Sequence, residues 1–255
     1  MTPRILALAC LLLATPVLRA QSSVIIDDSF DDGDPSGSVS SPGLWKLQAV
    51  TGDNGVFENN GTLTLFATTN PFTFAGINTS LDSALNFFAR PLTLAVEEMI
   101  LDHKGIPDHE AVFRLSLNST EKRQNMSPQS LSIRFVPGAF MMGFKTGPID
   151  KLAAEDVRGA ERGAACFARF EGRATAFRLS LDPHAQPGSI SYTLTVRTNG
   201  PEPVITRQGT LDLRASDWNA DGRSALVMEA RRNHGSTLPD TYMSATLGRL
   251  TVTSP

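Results

Sequence analysis

Cationic side chains recur at alternate positions of several short apolar runs. Arg114 lies within Val112–Leu117, Arg134 within Leu131–Phe135, and Lys145 follows Met141 and Gly143 at the same spacing. Arg178 and Arg197 have the same alternating placement further along. Alternate residues of a β-strand share a face. Arg114, Arg134 and Lys145 therefore project together if their runs are neighbours in one sheet. A guanidinium is a planar fork suited to a carboxylate or a sulfate. Like charges directly opposed across strands are unfavourable, so such a row implies intervening anions. These are either bound acidic sugars, making the surface a groove for an acidic polysaccharide, or nearby Glu and Asp on an ordinary solvated sheet face.

The carboxylates are not spaced as a catalytic pair. Glu97 and Glu98 are adjacent, with Asp102 close by. Adjacent residues on a strand face opposite sides, so these two read as a solvated strand end. Calcium is the cofactor to consider. Asp217, Asn219 and Asp221 put oxygens at positions one, three and five of a calcium loop, and Gly222 allows the sharp turn. The twelfth position is Met228, with Glu229 one place late. The same residues also describe a turn held by Asx side chains. The cluster Asp27, Asp28, Asp31, Asp32, Asp34 is a second possible calcium loop or a solvated acidic turn. Trp218, in a polar loop, is the candidate platform for stacking a sugar ring, whereas Trp45 and Tyr192 are in phase with core positions. His103, His109, His184 and His234 sit in loop-like contexts and form no strand motif.

Met1 to Ala20 has a short basic start at Arg4, an apolar run and a breaking Pro16. That is the pattern of a secretory signal peptide, and the apolar run is too short to span about 30 Å of hydrocarbon. The expected mature chain is one domain, residues 21–255, secreted or periplasmic, with no later membrane span. Its Arg/Ala-rich leader reads as bacterial, so the Asn-x-Ser/Thr triplets at Asn60, Asn78, Asn118 and Asn125 are not expected to carry glycans. The formal net charge is −3, which argues against a nucleic-acid partner. Beyond the leader Cys166 is the lone cysteine, so the core must hold without a disulfide. Cys166 itself reads as a small buried apolar residue.

The elements that must position these side chains are strands. Val24–Ile26, Leu44–Leu47, Thr62–Phe66, Ala176–Leu181 and Ile190–Arg197 carry the period of two or short apolar runs. Asn59-Asn60-Gly61 signals a tight hairpin turn. Pro203–Leu213 and Ala225–Ala230 are further strands. The last strand runs from Tyr242 to Val252, with a change of parity at Gly248 that suggests a β-bulge. Ser83–Phe88 is expected to make one helical turn, and Ile149–Ala165 a surface loop. Many short strands joined by Gly, Pro and Asn turns indicate an all-β, two-sheet antiparallel sandwich of the jelly-roll type.

The order of elements resembles the concanavalin A-like lectin/glucanase superfamily. The resemblance rests on the acidic Phe30-Asp31-Asp32-Gly33 opening, the Leu44-Trp45 strand and the Gly61-Thr62-Leu63-Thr64-Leu65 turn. It continues in the Phe87–Val96 strand and the closing Leu250-Thr251-Val252. It implies two curved sheets with a concave face that in relatives holds a glycan, first and last strands close together, and structural calcium near the chain ends. Glucanases of that superfamily carry Glu-x-Asp-x-(x)-Glu on one strand, with one carboxylate as nucleophile and one as acid. The corresponding strand here, Gln129–Val136, offers Ser130, Ser132 and Arg134. The resemblance thus implies a non-catalytic protein binding a glycan or another cell-surface component, such as an envelope polysaccharide. The alternatives are a hydrolase or lyase with displaced catalytic groups, and a structural or adhesive envelope protein.

Overall fold

A computed structural model describes residues 22–37, 41, 43–48, 54–68, 74–122, 127–146, 165–186, 189–213, 215, 218–219, 221–232 and 240–255. The chain runs through β1 (Ser23–Asp28), β2 (Lys46–Gln48), β3 (Gly55–Asn59), β4 (Thr62–Ala67), β5 (Phe74–Asn78) and β6 (Leu92–Val96). Next come β7 (Met99–Lys104), β8 (Ala111–Asn118), β9 (Gln129–Val136), β10 (Ala139–Thr146), β11 (Cys166–Arg169) and β12 (Ala174–Gln186). It ends with β13 (Ser189–Thr198), β14 (Val204–Leu211), β15 (Ala225–Arg232), β16 (Tyr242–Leu247) and β17 (Leu250–Ser254). Short 3₁₀ turns occupy Ser83–Leu85 and Asp108–Glu110. In the first, Asp82 caps the Ala84 N–H at 2.8 Å.

The strands pair antiparallel in three sheets. A six-stranded sheet has the order β1-β17-β6-β12-β13-β14, and a seven-stranded sheet the order β11-β10-β9-β8-β15-β5-β2. A smaller four-stranded sheet, β3-β4-β16-β7, adds to the expected sandwich of two. Alternation decides which face is buried. Leu63 and Leu65 on β4, Leu94 and Val96 on β6, and Leu194 and Val196 on β13 all turn into one core. Phe135 on β9 meets Phe177 on β12 with ring centroids 4.9 Å apart, so the two large sheets interlock there. No helix among the described residues is long and apolar enough to cross a membrane.

The parity change near Gly248 marks a crossing between sheets, not a bulge within one strand. β6 and β17 pair in the six-stranded sheet, while their continuations β7 and β16 pair in the four-stranded sheet. At the crossing Gly248 N–H donates to the Glu98 carbonyl at 2.8 Å, and Glu97 N–H to the Arg249 carbonyl at 3.0 Å. A Cβ at Gly248 would stand 2.8 Å from the Glu98 Cβ, so the approach needs glycine. The strand expected to begin at Phe87 begins at Leu92, because residues 87–89 form a turn. The β3–β4 hairpin closes through Asn60 at φ 51° and Gly61 at φ 76°, the left-handed pair that a two-residue hairpin requires.

The two ends of the described chain meet: Ser23 pairs with Ser254 and Asp28 with Leu250. Arg249 grips Asp27 through two hydrogen bonds of 2.7 Å. Cys166 is half-buried at the start of β11, and burial pushes its thiol pKa up. Residues 149–164 of the expected surface loop lie outside the described residues. Ala165, its last member, donates its N–H to the Met142 carbonyl at 2.9 Å.

Candidate functional site

Three of the cationic runs are adjacent strands, as the alternation required. On the outer face of the seven-stranded sheet one row reads Phe167, Met141, Arg134, Arg114, Glu229, Gly76 and Gln48 across the strands. The next contains Gly143, Ser132, Ser116, Val227 and Asn78. In the third, Lys145 pairs with Ser130 and Ser130 with Asn118. Arg114 and Arg134 thus face each other directly, and Lys145 stands in register two rows away.

The environment of that face corrects the expectation. It is neither an open groove nor a solvated surface, because Arg114 is 1% exposed and Arg134 3%. The anion beside Arg114 is the chain's own: Glu229, also 1% exposed, with Oε2 3.5 Å from Nη1. The sequence signal for it was a lone acid in the otherwise apolar Ala225–Ala230 run, on the parity opposite Leu226 and Met228. Other polar groups of the face are buried too. Among the described residues, Ser116 Oγ, Asn118 Oδ1 and Ser130 Oγ have no hydrogen-bond partner.

Arg178 and Arg197 lie on another surface. They project from the outer face of the six-stranded sheet, on β12 and β13, and both are exposed. Trp218 is not an exposed platform. It is 3% exposed and packs edge-on against Phe87 at a centroid distance of 5.1 Å. Trp45 and Tyr192 are in the core as expected. His103 and His184 sit on β7 and β12, not in loops, and His109 in the second 3₁₀ turn; His234 lies outside the described residues.

Several of the acids are held by contacts within the fold. Glu97 and Glu98 are exposed at the crossing between sheets, while Asp102 accepts from the Tyr242 hydroxyl at 2.7 Å and lies 3.7 Å from Arg173. That hydrogen bond from Tyr242, with the nearby Arg173, holds the Asp102 pKa below its ordinary value. Of the calcium-loop residues, Asp217 lies outside the described residues. Asn219 accepts from the Asp221 N–H at 3.2 Å and donates to the Arg223 carbonyl at 2.6 Å. Asp221 pairs with Arg223 at 2.6 Å. These contacts make an Asx turn. In the acidic opening Asp28 accepts from Trp45 Nε1 at 2.6 Å and the Phe30 N–H at 3.0 Å, and burial pushes its pKa up. Asp34 takes the Ser36 N–H at 2.9 Å. Among the described residues no three His, Cys, Asp or Glu side chains are placed to hold a metal ion.

Glu58 closes the acidic opening. Its Oε1 accepts the Asp32 and Gly33 N–H groups at 3.1 and 2.9 Å. Burial, with the Asp32 carboxyl beside it, pushes the Glu58 pKa up from 4.5 to about 7. A raised carboxyl favours the fold while protonated. Its contribution is complete below pH 4.5 and is lost as pH rises through about 7. Glu58→Gln keeps the acceptor and removes the titration. The melting temperature of the variant relative to the native protein is expected to rise between pH 5 and 8; parallel curves would refute the assignment.

Solved structures with this architecture include lectins. Peanut lectin bound to a nine-residue peptide matches over 92% of this chain and 98% of its own, at 11% identity and a TM-score of 0.52. The acidic lectin of winged bean, complexed with methyl-α-D-galactose, matches over 92% and 98%, at 8% identity and TM-score 0.54. Lectin I of Ulex europaeus, complexed with the methyl glycoside of α-L-fucose, matches over 91% and 98%, at 10% identity and TM-score 0.53. No protein-family model matches the chain, and no curated protein matches its sequence. The fold is therefore the concanavalin A-like jelly roll. At such identities the likeness concerns the backbone and does not carry over sugar-binding residues.

Proposed function

We propose that this chain is an exported, non-catalytic β-sandwich protein that binds a carbohydrate or another glycan-bearing component of the cell surface. Its leader supports export, to the periplasm or the exterior. Its fold supports glycan binding by analogy, since two of the matched lectins are complexed with sugar glycosides.

One observation carries the choice of binding over cleavage. Hydrolysis of a glycosidic bond uses two carboxyl groups, about 5–5.5 Å apart with retention or about 6.5–9.5 Å with inversion. Among the described residues, the outward positions of the seven-stranded sheet hold one carboxylate, Glu229. That group faces Arg114 at 3.5 Å in a buried pair. Among the described residues it has no acidic partner, and it is 1% exposed. Glu97 and Glu98 also fail as a pair, because the chain leaves one sheet for another between them.

The test is a glycan array in calcium-containing buffer, read beside a reducing-end assay on the retained polysaccharides. Retention with no shortening of the chains is expected. Cleavage that disappears in Glu97→Gln or Glu98→Gln would instead make the protein a hydrolase or lyase. An array with no retained glycan would point to a structural or adhesive envelope role.

A further inference from the structure

The outer face of the six-stranded sheet has a depression of about 380 Å³, lined in part by Ala95, Glu97, Ala176, Arg178, Thr195 and Arg197. The register explains its shape. Arg178 stands between Ala95 on β6 and Thr195 on β13, while Arg197 stands opposite Ala176. Short side chains alternate with long ones, and the short ones leave the hollow. Its volume falls at the lower end of the range of ligand pockets, about 300–1,000 Å³.

The two arginines occupy diagonal positions on neighbouring strands, where roots lie roughly 7–8 Å apart. Both are exposed, and among the described residues neither makes an ion pair or a side-chain hydrogen bond. Among the described residues Glu97 is the one acid lining the hollow, so two guanidiniums against one carboxylate leave a local excess of positive charge. The nearby Arg249 adds nothing to that excess, being matched by Asp27. The chain as a whole is formally −3, so this positive spot runs against the general field.

We infer that this depression binds a sugar carrying a negative charge, either a uronate carboxylate or a sulfate ester. The inference deepens the carbohydrate reading above, rests on it, and names a ligand class. Arg178 and Arg197 take the anionic group through their forks. Thr195 and Glu97 offer hydrogen bonds to ring hydroxyls, and the Ala95 and Ala176 methyl groups floor the site. Arg114 and Arg134, which are buried on the other large sheet, take no part.

The experiment compares neutral, uronate and sulfated oligosaccharides of equal length on the intact mature protein. Binding is measured at roughly 0.05 M and 0.5 M salt for the native protein, Arg178→Ala and Arg197→Ala. Both positions are exposed, so the variants are expected to fold, and circular dichroism verifies that. One or both anionic classes should bind, more weakly at the higher salt, and lose about 10-fold or more in either variant; the class retained identifies the charged group. Neutral sugars should be unaffected by the substitutions. Anionic binding that ignores both substitutions overturns the site. Binding of neutral sugars alone overturns the inference and leaves the carbohydrate reading standing. Binding of none overturns both.

Discussion

Arg114→Met is expected to destabilise the fold by about 3–5 kcal/mol, the usual cost of removing one partner from a buried ion pair. Glu229 is 1% exposed, and its hydrogen-bond partner is Arg114 Nη1 at 3.5 Å. Without that guanidinium the carboxylate either stays charged in a dry setting or takes up a proton, and both cost free energy. A domain is stable by about 5–15 kcal/mol, so the loss is a large part of the total. The double variant Arg114→Met with Glu229→Leu separates the pair from its surroundings. It should recover the part of the loss that comes from leaving Glu229 unpaired, because apolar side chains of similar volume often replace a buried pair at little cost. Urea unfolding of the four proteins completes the cycle. A single substitution costing under about 1 kcal/mol would mean that the pair is reached by water, contrary to its burial.

The same pair shows what alternation reveals and what it leaves out. The period of two placed Arg114 and Arg134 on one face and Leu115 and Ile133 on the other, and both placements hold. It could not tell that the outward face is covered, because coverage depends on residues distant in sequence. Glu229 lies 115 positions from Arg114 and becomes its neighbour only when β15 docks beside β8. Local chemistry was more legible. Asn60-Gly61 closes a hairpin wherever it stands between strands, and the helical turn expected over Ser83–Phe88 is a 3₁₀ turn at Ser83–Leu85. Trp218 misled because its flanks, Asp217 and Asn219, are polar while its ring turns inward against Phe87. The parity change at Gly248 has two possible causes, a bulge or a change of sheet. Only the pairing of β7 with β16 and of β6 with β17 distinguishes them. Arg178 and Arg197 belong with each other and not with Arg114, since strand order in space, unlike periodicity, is set by long-range pairing.

Phe135→Ala should cost about 3–5 kcal/mol, as large-to-small changes of a buried aromatic do. Phe135 is 0% exposed. Its ring centroid is 4.9 Å from that of Phe177 on the opposing sheet, and 6.2 Å from both Phe113 and Phe140 on its own. Removing it deletes aromatic contacts in two directions and opens a void between layers that close-packed neighbours fill only in part. Ile100, 62% exposed on an edge strand, provides the control, since Ile100→Ala should fall within about 0.5 kcal/mol. The denaturant slope makes the test sharper. If the two large sheets unfold as one cooperative unit around this ring, Phe135→Ala lowers the midpoint and leaves the slope unchanged. A smaller slope with two resolved transitions would mean that the sheets part separately, and the Phe135–Phe177 contact would then be a junction between units rather than the centre of one core.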